Sequence, residues 1–266
     1  HSVQPGEIIS IDKNGKIHST IYWQFPTYVS ENINNSNLID EIESDFITCQ
    51  DTIISISDCN ENDIQFINDL INQNEINEES TTFDTNDGDG VFEPNELGRQ
   101  IWENGRLVRL SIYGHDNGSG GTNYFEYNVT NIPESISDLE NIIYLDLDVN
   151  PIESLPSTFN SLQTLEYLWL GNSSVNNMNH MNQVPESIWE LSNLKLLGIQ
   201  GTDISEISDN LGNLTNLTDL FLGMNNLTVI PPIIWNMTSL TSLWLYQNQI
   251  TGDIPLGIGN LTNLTH

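Results

Sequence analysis

The chain has very few basic residues. Of its 266 residues only 6 are Lys or Arg, against 37 Asp or Glu, and the formal net charge is -31 at pH 7. Because phosphate backbones and anionic lipid headgroups are bound by clustered Lys and Arg, this balance argues against nucleic acid and membrane surfaces as partners. No apolar run in the sequence is long enough to cross a bilayer, so we expect no membrane insertion.

Cysteine is also scarce, with only Cys49 and Cys59 in the whole chain. A disulfide between them would close a short loop and contribute about 2–4 kcal/mol. Such a bond fits an oxidising, extracellular setting. The alternative is a pair of free thiols in a cytosolic protein. Because no second Cys pair or His cluster lies nearby, we do not expect a metal held by sulfur.

Signatures of catalysis are missing as well. The five histidines are scattered along the chain at positions 1, 18, 115, 180 and 266. The sequence contains no Gly-x-Ser-x-Gly elbow, no phosphate loop and no His-Glu-x-x-His zinc motif. We therefore expect that the protein is not an enzyme.

A recurring spacing of aliphatic residues fills the chain from residue 142 onward. Each unit holds an aliphatic residue, a Leu-x-Leu/Ile pair three residues later, a polar residue and a further aliphatic residue. The units are Ile142, Leu145, Leu147, Asn150, Ile152; Leu165, Leu168, Leu170, Ser173, Val175; Leu194, Leu197, Ile199, Thr202, Ile204; Leu217, Leu220, Leu222, Asn225, Leu227; and Leu240, Leu243, Leu245, Asn248, Ile250, with a sixth start at Leu264. Starts lie 23 to 29 residues apart, which is the period of a solenoid.

The spacing has a direct structural meaning. Side chains alternate along a strand, so each Leu-x-Leu pair buries two residues on one side and turns the intervening residue outward. A second apolar pair, Phe159 with Leu162 in the first unit, predicts a return segment; its later equivalents are Ile188 with Leu191, Leu211 with Leu214, Ile234 with Met237 and Ile258 with Leu261. Asn at the polar position predicts a ladder in which amides satisfy backbone groups.

These repeats resemble the leucine-rich repeat family of extracellular plant and bacterial surface proteins. The resemblance rests on IPESISDLENIIYLDLDVNPIESLP, NLGNLTNLTDLFLGMNNLTVIP and LWLYQNQITGDIPLGIGNLTNL, and it covers roughly residues 100–266. It implies an α/β solenoid with a parallel concave sheet, an irregular or short-helical convex side and an N-terminal cap. It also implies a binding scaffold without naming the ligand.

The first hundred residues differ from the repeats. Residues 7–23 predict a β-hairpin whose turn is residues 12–15, an Asn-Gly turn. Residues 62–72 predict a helix, because apolar residues recur at helical spacing behind an Asp or Asn cap. We expect this helix to cap the first repeat. The predicted divisions are a capping region at 1–80, a connector at 81–100 and repeats at 101–266.

The connector resembles a calcium loop of the EF-hand or dockerin type. The resemblance implies a structural Ca²⁺ ion held by Asp84, Asn86, Asp87, Asp89, the Val91 carbonyl and Glu96, with Gly90 at the sharp turn. The match departs at its first position, where Thr85 stands and the expected Asp is one residue early. The alternative is an acidic, Gly-rich turn without metal. An ion here would pin the cap to a first strand at 107–112, and Trp102 would cover the end of the core.

The outward positions of the predicted strands carry aromatic residues beside glycines. We expect exposed aromatics there to form a binding surface for a protein or glycan. The candidate ligand-binding residues are Tyr144, Asp146, Tyr167, Trp169, Phe221, Trp244 and Tyr246. The alternative is that these aromatics pack between neighbouring repeats and bind nothing.

Ten Asn-x-Ser/Thr sequons favour a glycoprotein at the cell surface or outside the cell. They are Asn34, Asn117, Asn128, Asn172, Asn213, Asn216, Asn226, Asn236, Asn260 and Asn263. The alternative is that the repeat framework generates them by accident.

The sequence thus predicts an extracellular binding module that recognises a protein or glycan through its concave face. A second hypothesis is a self-associating structural subunit of a cell-surface or extracellular filament, because the sequence stops inside a repeat.

Overall fold

The computed structural model describes residues 7–11, 17–21, 59–77, 97–112, 129–171 and 181–265. Near the N-terminus, β1 (Glu7–Ile11) pairs with β2 (Ile17–Ile21) in an antiparallel hairpin. Ile9 faces Ser19 at its centre. The predicted hairpin is therefore confirmed, while its turn lies outside the described residues.

The helix predicted at 62–72 is α1 (Glu61–Gln73). Its buried face consists of Phe66, Ile67, Leu70 and Ile71, the apolar residues at helical spacing. The Asn60 side chain caps the N-terminus by accepting hydrogen bonds from the backbone N–H groups of Asn62 and Asp63, at 3.0 and 3.3 Å.

Seven strands of the described residues form the main sheet. They are β3 (Arg99–Glu103), β4 (Arg106–Ser111), β5 (Tyr144–Asp146), β6 (Tyr167–Trp169), β7 (Leu196–Gly198), β8 (Asp219–Phe221) and β9 (Ser242–Trp244). Strands β4 to β9 are parallel and lie in sequence order, as stacking of repeats requires.

Strand β3 was not predicted. It runs antiparallel to β4 and forms the first edge of the sheet. Asn104 and Gly105 connect the two strands with φ angles of 51° and 77°. An Asn-Gly pair is the signature of a tight hairpin turn, so the sequence did contain the signal for this strand.

The return segments are short 3-10 helices on the side of the sheet that holds the core. They span Glu134–Asp138, Ser157–Ser161, Glu186–Glu190, Asp209–Asn213, Pro232–Asn236 and Leu256–Asn260. A proline precedes all of these except Asp209–Asn213, which follows Ser208. The Ser208 hydroxyl accepts a hydrogen bond from the backbone N–H of Asn210 at 3.2 Å.

One continuous apolar core runs from α1 to the last repeat. The first Leu of the strand pair is fully buried at Leu145, Leu168, Leu197 and Leu220, whereas Leu243 of the last pair is partly buried. Trp102 packs against this core, as expected. Ile258 departs from the prediction that the second apolar pair is buried, because it is 43% exposed.

The predicted amide ladder is confirmed at Asn150, Asn225 and Asn248. The Asn225 Nδ2 donates to the carbonyls of Ile199, Leu222 and Gly223, at 2.7, 3.1 and 3.3 Å. Its Oδ1 accepts from the backbone N–H of Thr202. Each amide thus joins two neighbouring repeats. Ser173 lies outside the described residues.

Across the described ranges, no helix has both the length and the apolar character needed to cross a bilayer.

Candidate binding face of the sheet

The outward positions of the strands line up as predicted. In the first column Tyr144, Tyr167, Leu196, Asp219 and Ser242 lie side by side. In the second column Asp146, Trp169, Gly198, Phe221 and Trp244 do the same. The register of the parallel strands therefore brings together residues that are roughly one repeat apart in sequence.

These side chains form a second apolar cluster, separate from the solenoid core. Its buried members are Trp169, Leu196 and Phe221, which are only 7%, 5% and 3% exposed. Tyr144, Tyr167 and Trp244 are partly exposed and pack against them. The expectation that Trp169 and Phe221 are exposed was wrong, because they pack between repeats as the alternative hypothesis stated.

The rings pack in a chain across the strands. Trp169 and Phe221 have centroids 5.0 Å apart, tilted by 35°. Phe221 and Trp244 are 6.1 Å apart and nearly parallel, at 11°. Tyr144 and Tyr167 make a similar pair at 6.2 Å. Offset contacts of this kind are favourable and hold the rings in fixed positions.

Glycines allow the rings to lie flat on the backbone. A Cβ on Gly198 would lie 2.1 Å from Cε3 of Trp169, and one on Gly223 would lie 2.3 Å from Cε1 of Tyr246. Any side chain at either position would lift the neighbouring ring. The space above each of these glycines is therefore filled by the ring of a neighbouring aromatic residue.

Hydrogen bonds orient the polar residues of this face. The Asp146 carboxylate accepts from the Ser111 hydroxyl at 3.1 Å and from the backbone N–H of Asp148 at 3.0 Å. The Tyr246 hydroxyl donates to Oε1 of Gln200 at 2.8 Å, across two repeats. These bonds fix the orientation of the polar side chains on this face.

Two tyrosines of the face have raised pKa values. Burial is the main cause for both, and Asp148 adds to the effect at Tyr246. Both hydroxyls therefore stay protonated to a higher pH than that of an exposed tyrosine, and both are able to donate hydrogen bonds. Beside the face, Lys195 and Glu166 form an ion pair at 2.7 Å.

The contact that joins the cap to the repeats was not predicted from the sequence. Asp63 is fully buried, and its carboxylate accepts from Nε and Nη2 of Arg106 at 2.9 and 3.0 Å. It also accepts from the backbone N–H of Leu107 at 2.7 Å. At the other end of α1, Oδ1 of Asn74 accepts from the backbone N–H of Asn131 at 3.0 Å. Asp63 and Arg106 are 43 positions apart in the sequence, so no local pattern indicated their contact.

Several predicted site residues lie outside the described residues. They include the calcium ligands Asp84, Asn86, Asp87, Asp89, Val91 and Glu96, the cysteine Cys49, and the sequons Asn34, Asn117, Asn128 and Asn172. Cys59 is buried just before α1, and its pairing with Cys49 stays a prediction. In the ranges that the structure describes, no group of three or more His, Cys, Asp or Glu residues could hold a metal ion.

The described sequons fall into groups with different surroundings. Nδ2 of Asn216 donates to the Ser192 carbonyl, and Nδ2 of Asn263 donates to the Thr238 carbonyl, both at 2.9 Å. Asn193, which is no sequon, makes the same bond to Gln163 at 2.7 Å. The repeat framework therefore explains Asn216 and Asn263 without a glycan.

Asn213 and Asn236 occupy a different position, each the last residue of a 3-10 helix. Both are exposed. In the described part of the chain, no neighbouring carbonyl accepts a hydrogen bond from either side-chain amide. Asn260 occupies the equivalent position and bonds weakly to the Trp235 carbonyl at 3.3 Å. Asn226 is part-buried, with Nδ2 3.3 Å from Oδ1 of Asp203.

Comparison with solved structures finds similar proteins. A leucine-rich repeat protein of Leptospira interrogans is 28% identical over 52% of this chain and 39% of its own, with a TM-score of 0.42. The ectodomain of the receptor kinase GASSHO1/SCHENGEN3 from Arabidopsis thaliana, in complex with Casparian strip integrity factor 2, is 27% identical over 62% and 19%, with a TM-score of 0.47. The plant peptide hormone receptor RGFR1, in complex with RGF2, is 32% identical over 50% and 21%, with a TM-score of 0.44.

A scan against protein-family models and a search of curated proteins find no match. The chain spans between about a fifth and two fifths of the length of the three solved structures. Its parallel sheet, built in sequence order and backed by one short 3-10 helix per repeat, is the leucine-rich repeat fold. The predicted fold class is confirmed.

Proposed function

We propose that this chain is an extracellular leucine-rich repeat module that binds a protein partner through the outward face of its sheet. The observation that carries the proposal is the second apolar cluster. The solenoid buries its repeats through the other side of the sheet, so its stacking needs no aromatic residue on the outward side.

The composition of the molecule makes this cluster unusual. A chain with a net charge of -31 is kept soluble by polar surface. Large apolar side chains gathered on one face of such a protein are typical of a surface that meets a partner. Tyr144, Tyr167, Trp244 and Tyr246 remain partly exposed and would make the contact. Trp169 and Phe221 would support them from below.

Binding arrays of peptides and glycans test the proposal. The wild-type chain is compared with Trp244→Ala, which removes a partly exposed ring from the face. Val229→Ala is the matched control, because Val229 is 62% exposed and lies outside the strands, in the loop between β8 and the 3-10 helix Pro232–Asn236. We expect peptide ligands that lose binding to the Trp244 variant and keep it with the control. Ligands that bind both variants equally well would refute the proposed face, and glycan-only hits would change the partner class.

The extracellular setting is supported by the cysteine pair and the sequons. Among the described sequons, Asn213 and Asn236 are the best glycan acceptors, because a sugar on Nδ2 would break no bond between repeats. Peptide mapping after secretion from a eukaryotic host should show higher occupancy there than at Asn216 and Asn263. Occupancy confined to Asn216 and Asn263 would contradict this assignment.

We also propose a structural Ca²⁺ ion in the loop at residues 84–96. The carboxylates and the glycine of this stretch support it, since calcium prefers several oxygen ligands around a sharp turn. Ligand binding to the native state raises its stability. Melting midpoints should therefore fall when a chelator is added, and equal midpoints would count against the ion.

A further inference from the structure

We infer that the partner presents a Lys or Arg side chain to the part of the face formed by β8 and β9, beside Asp219 and Trp244. This inference rests on the proposed function and names the chemistry of its ligand. Asp219 is partly exposed and occupies the outward position two residues before Phe221. Its Oδ2 accepts a hydrogen bond from the Thr218 hydroxyl at 2.6 Å, which orients the carboxylate.

The neighbours of Asp219 across the sheet are uncharged. Leu196 lies beside it on β7 and Ser242 beside it on β9. Lys195 precedes Leu196, but its ammonium group is paired with Glu166 at 2.7 Å. A partner's cation at Asp219 would therefore meet a carboxylate among apolar and neutral groups, where a charge-assisted hydrogen bond is strongest.

The geometry fits a long basic side chain. Adjacent strands are about 4.8 Å apart and outward positions along a strand are about 6.8 Å apart, so Asp219 and Trp244 are separated by about 8 Å. A Lys or Arg stem that crosses this distance would lie along the ring of Trp244, which stacks on Phe221. A cation close to an aromatic face gains further attraction.

The net charge of the whole chain also favours a basic partner. A net charge of -31 attracts basic segments over long distances and repels acidic ones. Asp146 and Asp148 add two carboxylates to the same face, and Arg109 beside Tyr144 adds one basic group. The occupant that best matches this face is therefore a basic protein segment with an apolar residue next to its cation.

Selection from a display library of random short peptides tests the inference. The wild-type chain and Asp219→Asn are used as baits, with Asp253→Asn as the control that makes the same charge change on an exposed loop residue outside the sheet. We expect Lys and Arg beside apolar residues to be enriched by the wild type and the control, and not by Asp219→Asn. The selected peptides should bind Asp219→Asn about tenfold more weakly, and Asp219→Glu should restore binding.

The outcomes separate this inference from the proposed function. If the selected peptides bind Asp219→Asn as tightly as the wild type while Trp244→Ala abolishes binding, the cation site is wrong and the face stands. Peptides that bind Trp244→Ala unchanged would overturn both. Replacing the peptide's Lys and Arg by Glu should abolish binding, and persistent binding would also refute the cation site.

Discussion

Replacing Asp63 by Ala should loosen the cap from the repeats. The carboxylate is fully buried and satisfies the Arg106 guanidinium twice, as well as the backbone N–H of Leu107. Removing one partner of a buried ion pair costs about 3–5 kcal/mol. Arg106 keeps its bonds to Glu140 and to the Asp138 carbonyl, and its side chain is 21% exposed. We therefore expect the low end of the range, about 3 kcal/mol.

The loss should be local before it is global. Each unit of a solenoid contacts only its neighbours, so weakening the cap affects α1 first. Hydrogen exchange should become faster in α1 and β3, while the amides of β7 to β9 keep their protection. Urea unfolding gives the total change in free energy. The double variant with Arg106→Ala should lose less than the sum of the two single variants.

Glu61→Ala is the matched control for Asp63→Ala. Glu61 lies in the first turn of the same helix and is exposed, so its removal changes the charge equally but breaks no buried bond. A loss of only a few tenths of a kcal/mol is expected for it. If Asp63→Ala loses no more than this control, or if exchange in α1 is unchanged, the proposed connection between cap and repeats is wrong.

Three further predictions concern the sheet and its ladder. Gly198→Ala places a Cβ 2.1 Å from Cε3 of Trp169 and should cost about 1–3 kcal/mol. The control, Gly259→Ala, meets nothing within 4 Å and should be nearly neutral. If both variants shift the thermal melt equally, the packing of Trp169 on Gly198 is refuted. Asn225→Ala removes three bonds to carbonyls and should cost about 3 kcal/mol by urea unfolding. This loss should be well above that of Asn226→Ala, whose side-chain amide bonds to Asp203 and Gln249 at 3.3 and 3.1 Å. Because burial, helped by Asp148, raises the pKa of Tyr246 above the unfolded value of about 10, its contribution to stability is present below that pH and is lost as the pH rises through the folded pKa. Melts in alkaline buffers should therefore fall more steeply for the wild type than for Tyr246→Phe, and parallel curves would contradict the shift.

The candidate face shows what sequence reasoning can and cannot reach. The strand register follows from the Leu-x-Leu spacing, so the columns that contain Tyr167 and Trp169 could be written down in advance. The exposure of those residues could not be predicted from the spacing. Whether Trp169 stands in solvent or lies on Gly198 depends on rotamers and on neighbours one repeat away, which no spacing specifies.

The solenoid itself was determined by the sequence alone. A fixed period of buried leucines, a polar rung position and a proline before the return segment each act within one repeat or between adjacent ones, so their pattern can be seen in the linear chain. The tertiary structure alone decided how the cap is held, because Asp63 and Arg106 lie far apart in sequence and meet only when α1 packs on the sheet. It also decided that the outward aromatics form a packed cluster, since packing between side chains is a property of three-dimensional neighbours.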